Sequence, residues 1–241
     1  MESSLLLHLR KARRDIRFGL DLLRGAFDRR LSPSHQCITA GQGATEPSRQ
    51  GLQWLDEYIA QPHPQLGRDG AICPFVRPAL RQDTVTFLTY PRIKHPSVDE
   101  LRGILAREGV ERIGRIVPDL DGVDLTAVLV MFPELGVEYG DMIWAAYNGC
   151  LEALNGRGVM LGAFFPGSKQ PGLDNPAFHP FQAPFPICVM RPMALRDIQF
   201  IMNEDGFREY RRRYAAQYEV GAVAASTGLP PLYRRAVERF A

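Results

Sequence analysis

Cys73, Glu138, Trp144, His179 and Arg191 are the residues whose types and positions lend themselves to chemistry. Cys73 stands before a proline in a Gly/Pro-bounded stretch, close in sequence to Arg77 and Arg81. Neighbouring guanidinium groups favour the thiolate, the nucleophilic form of cysteine. A cysteine nucleophile also needs a base, and no local Cys/His signature accompanies this one, so a buried inert thiol is the competing expectation. Glu138 and Asp141 open a predicted helix, where carboxylates complement the positive end of the helix dipole. Either would serve as a proton acceptor. Trp144 follows on the same helix, as a pocket wall or as core. His179, between Phe178 and Pro180, is a candidate ligand for a metal or haem iron, or a general base, against the alternative of a surface residue. Arg191 ends an apolar run, and an arginine there must find an anion or water. Its partner is expected to be a substrate carboxylate, a haem propionate, or Asp197. His95 reads as part of a turn, and His8, His35 and His63 fall in segments too irregular or exposed to favour.

Residues 164–186 (FFPGSKQPGLDNPAFHPFQAPFP) hold six prolines between two strand-like runs. Irregular connections of this length inside a domain are uncommon unless functional or disordered. Disorder calls for polar composition, whereas Phe164, Phe165, Leu173, Phe178, Phe181 and Phe185 call for packing. The segment is therefore expected to be an ordered cover, either the wall of a pocket or a plug on the core.

The elements that must position these residues are legible as patterns. Residues 84–90, 125–132, 159–165 and 185–190 are β-branched, aromatic and apolar runs, hence strands. Ser97 with Glu100 three residues on is a capping box opening a helix to about Gly109, and residues 138–155 form a second helix stopped by Gly156. Further helical patterns follow from Asp197 and from Phe207, and again over residues 230–240. The order β-α-β-α-β-loop-β-α predicts an α+β fold: a single domain with a central mixed or antiparallel sheet of about four strands and helices mainly on one face. Leu5, Leu9, Ala12, Ile16, Leu20, Leu23, Phe27 and Leu31 recur at helical spacing, giving an amphipathic N-terminal helix over residues 1–31. Residues 32–51 read as a flexible linker, and residues 52–241 as the α+β domain.

Composition sets the remaining bounds. The chain has 241 residues, 45% hydrophobic and 23% charged, with a net charge of +2, too small to argue for a nucleic-acid partner. No phosphate-binding glycine motif is present. The four cysteines form no C-x-x-C pair or zinc spacing, and Cys150 and Cys188 sit in apolar runs as buried thiols. No run is apolar enough to span a membrane, and the first residues lack a cleavage site, so a reducing, cytoplasmic setting is expected. Residues 1–30 carry eight Arg or Lys against four acids. The helix there is expected to dock on the domain, to dock on a second subunit as a homodimer, or to lie on an anionic membrane surface.

The ordered set Cys73-Pro74-Phe75-Val76, Met131-Phe132-Pro133, Phe164-Phe165-Pro166-Gly167, Pro171-Gly172-Leu173, Asn175-Pro176 and Arg191 resembles an uncharacterised family of bacterial and fungal proteins found near secondary-metabolite genes. A more distant likeness is to the haem-dependent N-oxygenase family that includes the guanitoxin-pathway hydroxylase. Cys73-Pro74, the apolar run 125–132, Glu138 with Trp144, and the strand ending Phe165-Pro166 fall in that family's order. Phenylalanine stands here where that family has histidine, so the resemblance implies another iron ligand, with His179 as the substitute.

These readings lead to three expectations. The first is a tailoring enzyme of secondary metabolism acting on a small molecule. It would be a haem-dependent oxygenase, with His179 as axial ligand, Arg191 as clamp and Trp144 lining the pocket. The second is a cofactor-free isomerase or cyclase with Glu138 or Asp141 as proton acceptor. The third is a non-catalytic scaffold that recruits a partner through its N-terminal helix.

Overall fold

The apolar runs that read as strands do pair into one sheet. The computed structural model describes residues 38–39, 45–113 and 125–240. The expected N-terminal helix and Cys37 lie outside the described residues. Strands β1 (Ile38–Thr39), β2 (Val85–Thr89), β3 (Ala127–Met131), β4 (Val159–Phe164) and β5 (Ile187–Pro192) form a mixed sheet in the order β1-β2-β3-β5-β4. β2 and β3 are parallel, whereas β5 runs antiparallel to both β3 and β4. β3 and β4 therefore point the same way, with the last strand inserted between them.

Two crossovers build this arrangement, one through α3 (Val98–Glu108) and the next through α4 (Gly140–Asn155). Crossovers between parallel strands are right-handed almost without exception. Both step the same way across the sheet, so both helices land on the same face. There α3 and α4 bury Leu101, Ile104, Leu105, Ile143, Ala146 and Leu154 against Leu88, Val128, Val130, Leu161, Cys188 and Met190. The predicted capping box is present: Ser97 Oγ accepts from Glu100 N at 3.2 Å, and Ser97 N donates to Glu100 Oε2 at 2.7 Å. The buried end of α3 is closed by Glu108, which accepts from Tyr90 Oη at 2.7 Å and from Arg112 Nε at 2.7 Å.

The alternate residues of the strands face the other way, and shorter pieces cover them. Helix α1 (Glu46–Trp54), its π-helical continuation Leu55–Ile59, and α2 (Val76–Arg81) pack Trp54, Leu55, Ile59 and Ala79 on Phe87, Leu129, Met131 and Ile187. α1 lies close to the sheet because Gly51 has no side chain: a Cβ there would meet Met131 Sδ at 3.0 Å and Phe87 at 3.3 Å. This helix begins at Glu46, inside the stretch expected as linker: extended Thr45 occupies the N-cap position, its Oγ1 paired with Ser48 Oγ at 3.1 Å, and Pro47 fits a first turn. At the β4 edge, α5 (Glu204–Glu219) and α6 (Leu229–Phe240) close a further cluster containing Met160, Ile198, Phe207 and Tyr210. The helix expected from Asp197 is a short 3-10 turn, Leu195–Gln199.

Candidate active site around Cys73 and Arg191

On β5, Cys188 and Met190 face α3 and α4, while Ile187 and Val189 face the other cluster. Period-two alternation therefore carries Arg191 to the second face, the side of Cys73 and α2. Its side chain is 23% exposed. Nη1 donates to Asp197 Oδ2 at 2.7 Å and to the Pro192 carbonyl at 3.0 Å, and Nη2 donates to Asp197 Oδ1 at 2.6 Å. Asp197 is buried at 1% exposure and also accepts from Ala194 N at 2.7 Å. The salt bridge expected with Asp197 is formed. Phe75 supplies a platform, its ring centroid 5.0 Å from the guanidinium carbon. Burial opposes the charge on Arg191, but the Asp197 carboxylate outweighs it and holds the guanidinium more firmly protonated.

Cys73, two residues before Phe75, is within the electrostatic reach of this arginine. The residue is half-buried, and its backbone carbonyl accepts from Val76 N at 3.4 Å. Burial pushes the thiol above its ordinary range, and the Phe75 N–H and the Arg191 charge pull it only part of the way back. The expectation that Arg77 and Arg81 favour a thiolate is corrected here. Arg77 turns away to the Ala60 carbonyl at 3.1 Å and Gln61 Oε1 at 2.8 Å, and the guanidinium that acts on Cys73 comes from β5. The result is a neutral thiol with a fixed cation in electrostatic reach. Cys150 and Cys188 are fully buried, free, and pushed up by burial, as inert thiols should be.

The other predicted site residues do not join this pair. Glu138 is exposed in the turn Val137–Tyr139, its carboxylate folded back over Gly136. Asp141 is exposed too. Trp144 stacks on Tyr147 at 4.7 Å and packs with the α3–α4 cluster, across the sheet from Arg191. His179 is exposed on the loop, whereas its neighbour Phe178 is buried and stacked on His63 at 4.2 Å. His179, Arg191 and Trp144 thus do not converge on one space, and this ligand set does not fit a haem. No group of three or more His, Cys, Asp or Glu side chains is arranged to hold a metal ion among the described residues.

The proline-rich loop is an ordered cover, and of the two forms expected it is the plug. Ala183 and Phe185 are buried in the core beneath it. Trp54 Nε1 donates to the Gln182 carbonyl at 2.8 Å, Tyr58 Oη donates to the Pro180 carbonyl at 3.1 Å, and the Gln182 amide ties Gly167 and Ser168. Where loop and helix meet, Gln50, Gln53, Trp54, Glu57, Tyr58 and Pro184 line an open groove of about 380 Å³. Phe75 reaches Arg191 as its platform from a distant segment, whereas Asp197, which holds it, is only six residues away. Asp197 was visible in sequence only as a rival partner, and Phe75 only as part of the Cys73 motif.

Residues 48–225 match the family described as Domain of unknown function (DUF6875). The chain belongs to that family. The matched region takes in both crossovers, the loop, β5 and all of α5, so Cys73, Arg191 and Asp197 all lie within it. Over 105 residues the chain is 35% identical to the "Bifunctional protein GlmU" of Herminiimonas arsenicoxydans, covering 43% of this chain. It spans only 23% of that curated relative. No solved structure matches the chain. No helix among the described residues is long and apolar enough to cross a membrane.

Proposed function

We propose that the protein is a cytoplasmic enzyme acting on a small molecule, of the isomerase or cyclase type, with Cys73 as its proton-transferring group. The observation that carries this reading is the setting of Cys73. The residue is half-buried and within the electrostatic reach of Arg191, which Asp197 and Phe75 hold in place. A thiol kept protonated by burial can give up its proton in the reaction, and the Arg191 charge stabilises the thiolate that results. This moves the acid–base role from Glu138 to Cys73. The oxygenase reading depends on His179, Arg191 and Trp144 acting together, and their separation gives it no support. The likeness to proteins found near secondary-metabolite genes suggests a tailoring step as the setting, and the free thiols of Cys73, Cys150 and Cys188 are in keeping with a reducing compartment.

The test compares small-molecule extracts of cells expressing the wild-type chain or Cys73→Ala, grown in D2O-enriched medium. Proton transfer through the thiol predicts a compound that changes without change of composition and gains carbon-bound deuterium only with the wild type. Identical profiles for the two proteins, with a wild-type-dependent product still formed by Cys73→Ala, would remove Cys73 from the reaction.

A further inference from the structure

Arg191 is bound on one edge only. A guanidinium presents two forks to carboxylates, one formed by the paired Nη groups and one by Nε with the outer hydrogen of Nη2. Asp197 fills the first, and the second hydrogen of Nη1 goes to Pro192. The Nε–Nη2 fork has no partner among the described residues, although the side chain is only 23% exposed and its flat face is stacked on Phe75. Arg191 Nε is not among the buried side-chain atoms left without a partner, so the fork is open to water or to a ligand. Surface arginines sway in bulk water, but this one is clamped by a buried aspartate with the thiol in its electrostatic reach.

We infer that the Cys73–Arg191 site recognises a small monocarboxylic acid, whose carboxylate takes the Nε–Nη2 fork of Arg191 and whose carbon skeleton lies toward the sulfur of Cys73. The inference rests on the reading of Cys73 as the reactive group and supplies its substrate class. Asp197 orients the fork rather than competing for it, because it occupies the other edge. A neutral thiol suits a carboxylate neighbour, since a thiolate there would repel it. Phe75 limits the ligand's approach to the plane of the guanidinium, which favours a planar carboxylate over a bulkier anion.

Iodoacetate and iodoacetamide test this directly, because they differ only in the carboxylate. With either reagent the Cys73 thiolate attacks the methylene carbon, an S–C bond forms, the C–I bond breaks with loss of iodide, and the thiol proton goes to water. The rate at Cys73 of the folded full-length chain is read by peptide mass spectrometry, and the iodoacetate-to-iodoacetamide ratio is compared with that of glutathione. A charge-assisted bidentate contact predicts a ratio about tenfold or more above glutathione's, saturation with iodoacetate, and suppression by propionate. Arg191→Lys keeps a cation for Asp197 but lacks the fork, and should lose the preference while still reacting with iodoacetamide. A wild-type ratio at or below that of glutathione overturns the carboxylate assignment and leaves Cys73 as a reactive thiol. Inertness of Cys73 to both reagents in the folded chain overturns the reading of Cys73 itself, and the substrate class with it.

Discussion

Replacing Asp197 by alanine should cost about 3 kcal/mol of folding stability and at the same time make Cys73 more reactive. The magnitude follows from what the carboxylate does. It is 1% exposed and accepts from both Nη groups of Arg191 and from Ala194 N. Removing one member of a buried ion pair costs roughly 3–5 kcal/mol, mostly because the remaining charge is left without its partner. Arg191 keeps 23% exposure and some access to water, which places the loss at the lower end. The thiol effect has the opposite sign. Asp197 raises the Cys73 pKa and Arg191 lowers it, so loss of the aspartate leaves the arginine's influence unopposed and the thiol more acidic. Equilibrium urea unfolding, followed by the fluorescence of Trp54 and Trp144, measures the first quantity. Iodoacetamide labelling at neutral pH measures the second, with buried Cys150 and Cys188 reporting any global opening. Arg191→Met and the double variant complete a cycle, in which the double variant should be much less destabilised than the sum of the singles. A loss below about 1 kcal/mol would mean that the pair behaves like a surface ion pair, and the clamped arginine would have to be given up. So would unchanged labelling of Cys73.

The remaining predictions concern the core and the cover. Cys150, with 0% exposure, has its thiol pushed from 9.0 to about 12 by burial. Its folded-state pKa lies above the unfolded value, so its contribution is complete below about pH 9 and disappears as pH rises toward 12, a loss of roughly 4 kcal/mol. Cys150→Ala should flatten the fall of stability over that window, as read from urea unfolding at stepped alkaline pH, and an unchanged slope would contradict it. Trp54→Phe removes the bond to the Gln182 carbonyl and disturbs the edge contact with Phe164, centroids 5.1 Å apart. It should cost about 1–3 kcal/mol and raise amide exchange in residues 165–186 ahead of the strands; uniform exchange across the domain would show that Trp54 does not anchor the loop.

Much of the fold was open to local reading because its signals are local. The runs at 84–90 and 125–132 are apolar on both faces, and both faces are indeed covered. Ser97 and Glu100 form their capping box in the spacing that announces one. The order of strands was not open in this way. Nothing in residues 187–192 says that they slip between β3 and β4, since that depends on pairing with segments far away in the chain. The start of α1 was hidden for a different reason. Thr45, Glu46 and Pro47 cap and open a helix, but in a stretch rich in Ser, Gly and Gln they look like linker. The site divides similarly. Arg191 could be flagged because an arginine ending a buried strand needs a partner, and Asp197 was near enough in sequence to be considered. That the charge of this arginine reaches Cys73 is a tertiary fact with no sequence trace. His179 misled because adjacent loop residues point to different surroundings: Phe178 goes into the core and the histidine to solvent.

The position of β5 bears on how the chain can be made. β5 is the last strand synthesised and an interior strand of the finished sheet, so a nascent chain that stops short of residue 187 holds β3 and β4 with an open slot between them. Both rims of that slot carry unpaired backbone N–H and C=O groups, which invite strands from other chains. The proline-laden segment leaves the ribosome just before the strand that closes the slot, and its covalent continuity with β5 keeps that strand at high local concentration. Truncation anywhere before Pro192 should therefore yield an aggregating fragment rather than a smaller domain, and a cell making this protein has reason to shield it until that residue emerges.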